Sequence, residues 1–225
     1  MTIQFLKSTV GRKLLMAVTG FSMIIFVIIH LLGNSSIFAG PDGINAYAAA
    51  LHRFGLIVWV FRIIMLTLLS LHLFFGIQLT LENRAAKSKS YVVQESLRAT
   101  FAGKNMIWTG LLIGAFLVYH LLHFTFQVTN PEIAAIRHLD AAGRQDVFMM
   151  VVLSFQKSVI SSLYVCGMAA LGFHLGHGIQ SFFQTLGLNN DRSLSLLEKG
   201  GTFAALLLFL GYISIPILIF ARIVK

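Results

Sequence analysis

Apolar residues run through this chain in long stretches, with polar and turn-forming residues gathered between them. About 20 consecutive apolar residues carry a helix across a hydrocarbon core roughly 30 Å thick. On that measure the pattern predicts five spans, near Lys13–Phe38, Leu56–Leu81, Asn105–Gln127, Met150–Phe183 and Phe203–Ile223. The fourth is long for one crossing and is expected to tilt or to extend beyond the bilayer. The connections are turn-rich: Gly40-Pro41-Asp42-Gly43, Glu82 to Lys104, Asn130-Pro131 through Asp146, and Gly187 to Asp191. None is long enough for a second domain, and no short repeat stands out. The expected fold is all-α, a single integral membrane bundle of five transmembrane helices over residues 1–225.

Composition supports that reading. Of 225 residues, 57% are hydrophobic and 11% charged, where soluble domains carry about a quarter charged. The segment Met1–Ser8 lacks the apolar region and cleavage site of a signal peptide, so uncleaved spans are expected. The single cysteine, Cys166, excludes an internal disulfide and the Cys-x-x-Cys-His attachment of c-type haem.

The net charge of +9 could suggest nucleic acid, but the basic residues sit at span ends rather than in one patch, so no nucleic-acid partner is expected. Lys7, Arg12, Lys13, Arg84, Lys87, Lys89, Arg98, Lys104, Arg192 and Lys199 fall on one side; Arg53, Arg62, Arg137, Arg144, Lys157, Arg222 and Lys225 fall on the other. This bias of ten to seven places the N-terminus in the cytoplasm and the C-terminus outside.

Four histidines, His30, His72, His120 and His174, lie one each in the first four spans. A histidine in hydrocarbon is costly unless it faces the bundle interior with a partner or ligand. At about 1.5 Å per residue, His30 sits roughly 25 Å from the cytoplasmic start of its helix, and His120 reaches a similar outer depth. Spans two and four run the opposite way and bring His72 and His174 toward the inner side. Depth therefore sorts them into an outer pair, His30 with His120, and an inner pair, His72 with His174. The expected cargo is two haems b with bis-histidine ligation, His30 and His120 on the outer iron and His72 and His174 on the inner. Helix-to-helix hydrogen bonding is the plain alternative for any one histidine; matched depths for all four disfavour it. A proton-relaying transporter would be expected to carry carboxylates inside the spans, and this sequence has essentially none there. Gly33 and Gly76, close to His30 and His72, would leave room for a macrocycle.

The run Ser8-Thr9-Val10-Gly11-Arg12-Lys13-Leu14-Leu15-Met16-Ala17-Val18-Thr19-Gly20, followed by His30-Leu31-Leu32-Gly33-Asn34, resembles the start of the cytochrome b558 membrane-anchor subunits of succinate dehydrogenase and fumarate reductase. Tyr119-His120-Leu121-Leu122-His123-Phe124 and Phe173-His174-Leu175-Gly176-His177-Gly178 resemble the third- and fourth-helix motifs of the same family. The resemblance covers essentially the whole chain. It implies a single-chain, two-haem anchor in the bacterial cytoplasmic membrane, on whose cytoplasmic face a flavoprotein subunit and an iron–sulfur subunit dock. Electrons would pass between the iron–sulfur subunit, the haems and a membrane quinone, menaquinone by analogy. The dicarboxylate chemistry would belong to the flavoprotein. In the family the ligand corresponds to the earlier histidine of each close pair; depth alone tolerates His123 for His120 and His177 for His174. The cytochrome b anchor of a hydrogenase or formate dehydrogenase is the nearest rival, disfavoured by span number and histidine placement.

Four propionates need partners. Arg12, Lys13, Arg98 and Lys104 are candidates on the inner side, and Arg53, Arg62 and Lys157 on the outer, with interfacial snorkelling as the alternative for each. For quinone, Asn45, Tyr47, His52 and Arg53 precede the second span, and His138 lies in the next outer loop. Some relatives carry a glutamate near the outer end of the second helix; this chain has none between Asp42 and Glu82, and His52 is the best substitute. Gly172 stands where some relatives have a proton-returning glutamate. Without it, outer-side quinone chemistry is expected to be coupled to the membrane potential.

Overall fold

The structure is a computed structural model describing residues 8–86, 103, 105–188, 190 and 193–225. Among these the chain is helical, without strands. The elements are α1 (Thr9–Asn34), a 3-10 turn (Ser35–Ala39), α2 (Pro41–Arg53), α3 (Leu56–Ala85), α4 (Met106–His120) continued by a π turn (Leu121–Thr125), α5 (Val147–Phe155), α6 (Ser158–Thr185) and α7 (Leu194–Phe220). Five helical segments of the described chain are long and apolar enough to cross a membrane: Thr9–Ala39, Leu56–Ala85, Met106–Thr125, Ser158–Thr185 and Leu194–Phe220. Their outward faces are apolar and exposed, as at Ile29, Leu32, Ile63, Leu66, Phe74, Leu112 and Phe203, which is the surface lipid would cover.

α1 packs on α3 and α6, α4 on α6, and α6 along α7. The start of α1 is capped by the Ser8 hydroxyl, which accepts from the Gly11 N–H at 2.9 Å. The tightest core lies at the opposite end, where Ile37, Ile44, Phe148, Val152, Phe155, Ile160, Tyr164, Ile215 and Ile219 pack together. There α2, α5 and the 126–146 segment form a cap over the bundle. Its keystone is Asn45, 0% exposed. The Asn45 amide donates to Asp140 Oδ2 and Asp146 Oδ1, both at 3.2 Å, and its oxygen accepts from the Phe148 N–H at 2.9 Å. Arg144 bonds Asp140 at 2.7 Å and Asp42 at 2.6 Å, tying the loop to the first turn of α2.

The structure differs from the predicted elements in four places. Residues 41–53 form a helix, not an irregular connection: Pro41 fills its first turn, where the missing N–H costs nothing, and Asp42 favours its positive end. The stretch expected as one long fourth span, Met150–Phe183, is broken at Gln156–Lys157 into α5 and α6. Lys157 is extended at the break, its ammonium drawn to Glu132 at 3.0 Å and Asn130 at 3.1 Å, while Ser161 Oγ caps the free Phe155 carbonyl. The fifth span begins at Leu194 rather than Phe203, and the second runs to Ala85 rather than Leu81. Those extensions bring two carboxylates, Glu82 and Glu198, within helices expected to lack them.

Candidate functional site

The four span histidines meet as two pairs. His30 of α1 and His120 of α4 face each other with ring centres 5.9 Å apart and planes perpendicular. His72 of α3 and His174 of α6 face each other at 6.4 Å and 67°. All four are half-buried. The His30/His120 pair lies toward the cap and the His72/His174 pair toward the N-terminal end of α1. From Thr19, beside His72, to His30 is 11 residues of continuous α1, about 16 Å of rise.

A tautomer follows from the partners of His72. Its Nδ1 lies 3.1 Å from the Met16 carbonyl oxygen and 3.2 Å from Thr19 Oγ1. A carbonyl can only accept, so Nδ1 carries the proton. The Thr19 hydroxyl already donates to its own helix, to Leu15 O at 2.8 Å and Met16 O at 3.1 Å, and turns a lone pair to the ring. At His174 the threonine alone takes this place: Nδ1 lies 3.1 Å from Thr109 Oγ1, whose hydroxyl donates to Met106 O and Asn105 O, so that Oγ1 accepts from Nδ1–H. Nε2 of each ring is left with an available lone pair, the form in which histidine binds a metal.

The other pair is held differently. The Tyr164 hydroxyl lies 3.3 Å from His120 Nδ1 and 3.0 Å from His123 Nδ1, and His123 Nε2 lies 3.1 Å from Ser154 Oγ. The π turn after His120 rotates His123 inward, where it is buried with both ring nitrogens occupied. That leaves His123 no lone pair for a metal, and His120 is the ring that faces His30. His30 itself makes ring contacts, to Phe26, His120 and Tyr212. In α6 the ring that faces His72 belongs to His174, with His177 one turn on.

Two imidazoles trans across one metal ion, at the usual histidine–metal distance of about 2.1 Å, have ring centres roughly 6 Å apart. Both pairs meet that spacing. No group of three or more His, Cys, Asp or Glu side chains converges among the described residues. A cofactor that brings most of its own ligands to a metal would need only two imidazoles from the protein, and His30 with His120, and His72 with His174, would hold it. Close approach is built in: a Cβ on Gly20 would lie 3.0 Å from His72 Cε1, and one on Gly110 would lie 3.3 Å from His174 Cε1. The space beside Gly33, expected to be free for a macrocycle, instead holds the Tyr47 ring.

The charged candidates divide clearly. Arg12 is buried and bonds Glu82 Oε1 at 2.5 Å, where Gln78 also donates at 3.1 Å, yet Arg12 Nε is buried with no hydrogen-bond partner. An orphaned guanidinium N–H is a ready donor for a carboxylate. Lys13 is exposed, and Arg98 and Lys104 lie outside the described residues, as do Lys7, Lys87, Lys89 and Arg192. Lys157 is committed to Glu132 and Asn130, and Arg62 lies 5.0 Å over the Trp59 ring.

Of the quinone candidates, Asn45 is wholly buried, with its amide bonded to Asp140, Asp146 and the Phe148 N–H of the cap. Tyr47 packs on Gly33. His52 and Arg53 are exposed and line a surface cleft of about 380 Å³ with Ala48, Ala49, Gly143, Arg144 and Gln145. His138 lies apart from them, its Nε2–H donating to the Glu132 carbonyl at 3.0 Å.

The fold and site thus define a helical bundle with five helices able to cross a membrane and two facing imidazole pairs at different depths. No family model, curated protein or solved structure matches the chain.

Proposed function

We propose that the chain is the membrane-anchoring cytochrome b subunit of a succinate:quinone or quinol:fumarate oxidoreductase. The observation that carries this reading is the pair of facing imidazole sets, each contributed by two different helices and separated along the bundle by about three helical turns. A haem b bound at each pair would supply a one-electron iron centre, the two together forming a path between the faces of the membrane. The resemblance in the first, third and fourth spans points to this complex among quinone-linked dehydrogenases.

In this reading His72 and His174 hold the inner iron and His30 and His120 the outer. The N-terminus is cytoplasmic by the distribution of Lys and Arg, and the resemblance implies a bacterial cytoplasmic membrane. Arg12, with its unpartnered Nε, receives an inner propionate. The flavoprotein and iron–sulfur subunits dock on the inner face, where the dicarboxylate is handled by the flavoprotein. Quinone, menaquinone by analogy, is served at the capped end, where the cleft beside His52 and Arg53 gives hydrogen-bonding groups access to water.

The test is the reduced-minus-oxidised visible spectrum of the chain purified with its partner subunits. Two low-spin b-type haems per chain are expected. Absence of haem, or persistence of both after His30, His72, His120 and His174 are replaced one at a time, overturns the proposal.

A further inference from the structure

The surroundings of His72 and His174 repeat in the sequence as well as in space. Met16-Ala17-Val18-Thr19-Gly20 and Met106-Ile107-Trp108-Thr109-Gly110 share the pattern Met-x-x-Thr-Gly, and in each helix a histidine, His30 or His120, follows the glycine by ten residues. From threonine to histidine is therefore three helical turns, with both on nearly the same face. α1 presents its Thr-Gly step to His72 of α3, and α4 presents its own to His174 of α6. The pairs then form across these partnerships, α1 with α4 and α3 with α6. The site is thus built twice from one local device.

Each part of the device has a separate physical task. The Met16 carbonyl accepts from Nδ1–H of His72 and fixes its tautomer. The threonine oxygen, its own proton spent on the helix backbone, accepts from the same N–H and fixes the ring's rotation about the Cβ–Cγ bond. The glycine lets the ring lie against the neighbouring helix. Back-bonding of threonine to its own helix is ordinary in apolar helices. A lone pair turned onto an imidazole of another helix, twice and at the same place in a repeated motif, is a second and independent feature.

We infer that Thr19 with the Met16 carbonyl, and Thr109, are positioning residues that hold Nε2 of His72 and Nε2 of His174 toward one shared metal. The inference rests on the haem reading for the identity of that metal, but the clamp itself does not. Acceptors on Nδ1–H raise the basicity of the ligand and stabilise the oxidised iron. Loss of the threonine oxygen therefore moves the midpoint potential of the His72/His174 centre upward. It also weakens retention of that centre by about 10- to 100-fold.

Two experiments separate the clamp from the cofactor assignment. In the purified complex, Thr19→Val and Thr109→Val, similar in shape but without the hydroxyl, are compared with Thr19→Ser and Thr109→Ser. Both valine variants are expected to shift the low-temperature EPR signal and raise the potential of the same single haem, and serine is expected to restore both. Unchanged signal and potential, effects on two different haems, or failure of serine to rescue overturns the inference while leaving the two-haem reading standing. In the wild-type chain freed of cofactor, nitrogen-15 NMR of the histidines is expected to find His72 and His174 protonated at Nδ1. Protonation at Nε2 in either ring overturns the clamp whatever the chain binds. A chain that never carries haem but shows Nδ1–H on both rings retains the clamp and sinks the functional reading.

Discussion

Toward the N-terminal end of α1, His72 is fixed by a backbone carbonyl and a threonine of the adjacent helix, and His174 by a threonine of its own neighbour. Toward the cap, His120 is fixed by one tyrosine hydroxyl that it shares with His123, and His30 by the rings around it. The first arrangement is local: each clamp lies within one turn of one helix, and its proton direction is dictated by the Met16 carbonyl at His72 and by the committed Thr109 hydroxyl at His174. The second is distributed over α4, α5 and α6, and a tyrosine hydroxyl can donate to either histidine. Only one direction leaves Nε2 of His120 free, with His120 donating to Tyr164, Tyr164 to His123, and His123 to Ser154. Rigidity at one pair thus comes from a repeated motif, and at the other from the packing of the cap.

The largest effect should come from breaking the pairs themselves. His72→Ala or His174→Ala is expected to abolish one of two b-type signals, and His30→Ala or His120→Ala the other, in reduced-minus-oxidised spectra. His123→Ala is expected to keep both, because its ring nitrogens are bound to Tyr164 and Ser154. Loss of a haem on His123→Ala, with protein of wild-type yield, would reverse the choice between His120 and His123.

Next comes the link that distinguishes the capped pair. Tyr164→Phe removes the hydroxyl between His120 and His123 and leaves a buried ring nitrogen without its partner. The expected cost is about 1–3 kcal/mol, read as a lower thermal midpoint, with the EPR signal of the His30/His120 centre altered and that of the His72/His174 centre unchanged. Equal disturbance of both centres would show that the two ends are not built independently.

The spans and the histidine pairing were legible because apolar length and helix direction set depth, and depth requires no knowledge of side-chain contacts. The helix 41–53 was legible in principle: Pro41, Asp42 and the spacing Ile44, Ala48, Leu51 are a helix start and an apolar stripe, hidden behind the glycines at 40 and 43. The break at Gln156–Lys157 was not. Apolar residues continue on both sides without glycine or proline, and the break is held by long-range partners, Ser154 to His123 and Lys157 to Glu132. The inward turn of His123 depends on a π turn that no periodicity announces. The Met-x-x-Thr-Gly repeat was in plain view, but threonine and glycine in an apolar helix read as packing residues until the histidine across from them is known.

A smaller and more local effect is expected from Asn45→Ala. Three hydrogen bonds that join α2, the 126–146 segment and α5 would go, leaving the Phe148 N–H without its acceptor. The expected loss is about 1–3 kcal/mol, confined to the cap and read as faster proteolysis there. The His72/His174 centre should keep its spectrum, since its clamp shares no residue with the cap.

The smallest expected effect is acid opening of the cap. Arg144, followed by Asn45 and nearby backbone N–H groups, holds the Asp140 carboxyl down at about 2, and the same contacts push Arg144 upward. A carboxyl depressed in the folded state stabilises it fully above its unfolded value of about 3.9 and ceases to do so as pH falls through the folded value. Glu132, lowered by its own backbone N–H and then by Lys157, acts in the same direction. Hydrogen exchange across an acid titration should therefore find protection in the cap falling between about pH 4 and pH 2 while α1 and α3 retain theirs. Loosening of the cap already near neutral pH, or of all helices together, would mean that carboxylates do not hold the cap and that the contrast between its distributed network and the clamps at the other end is mistaken.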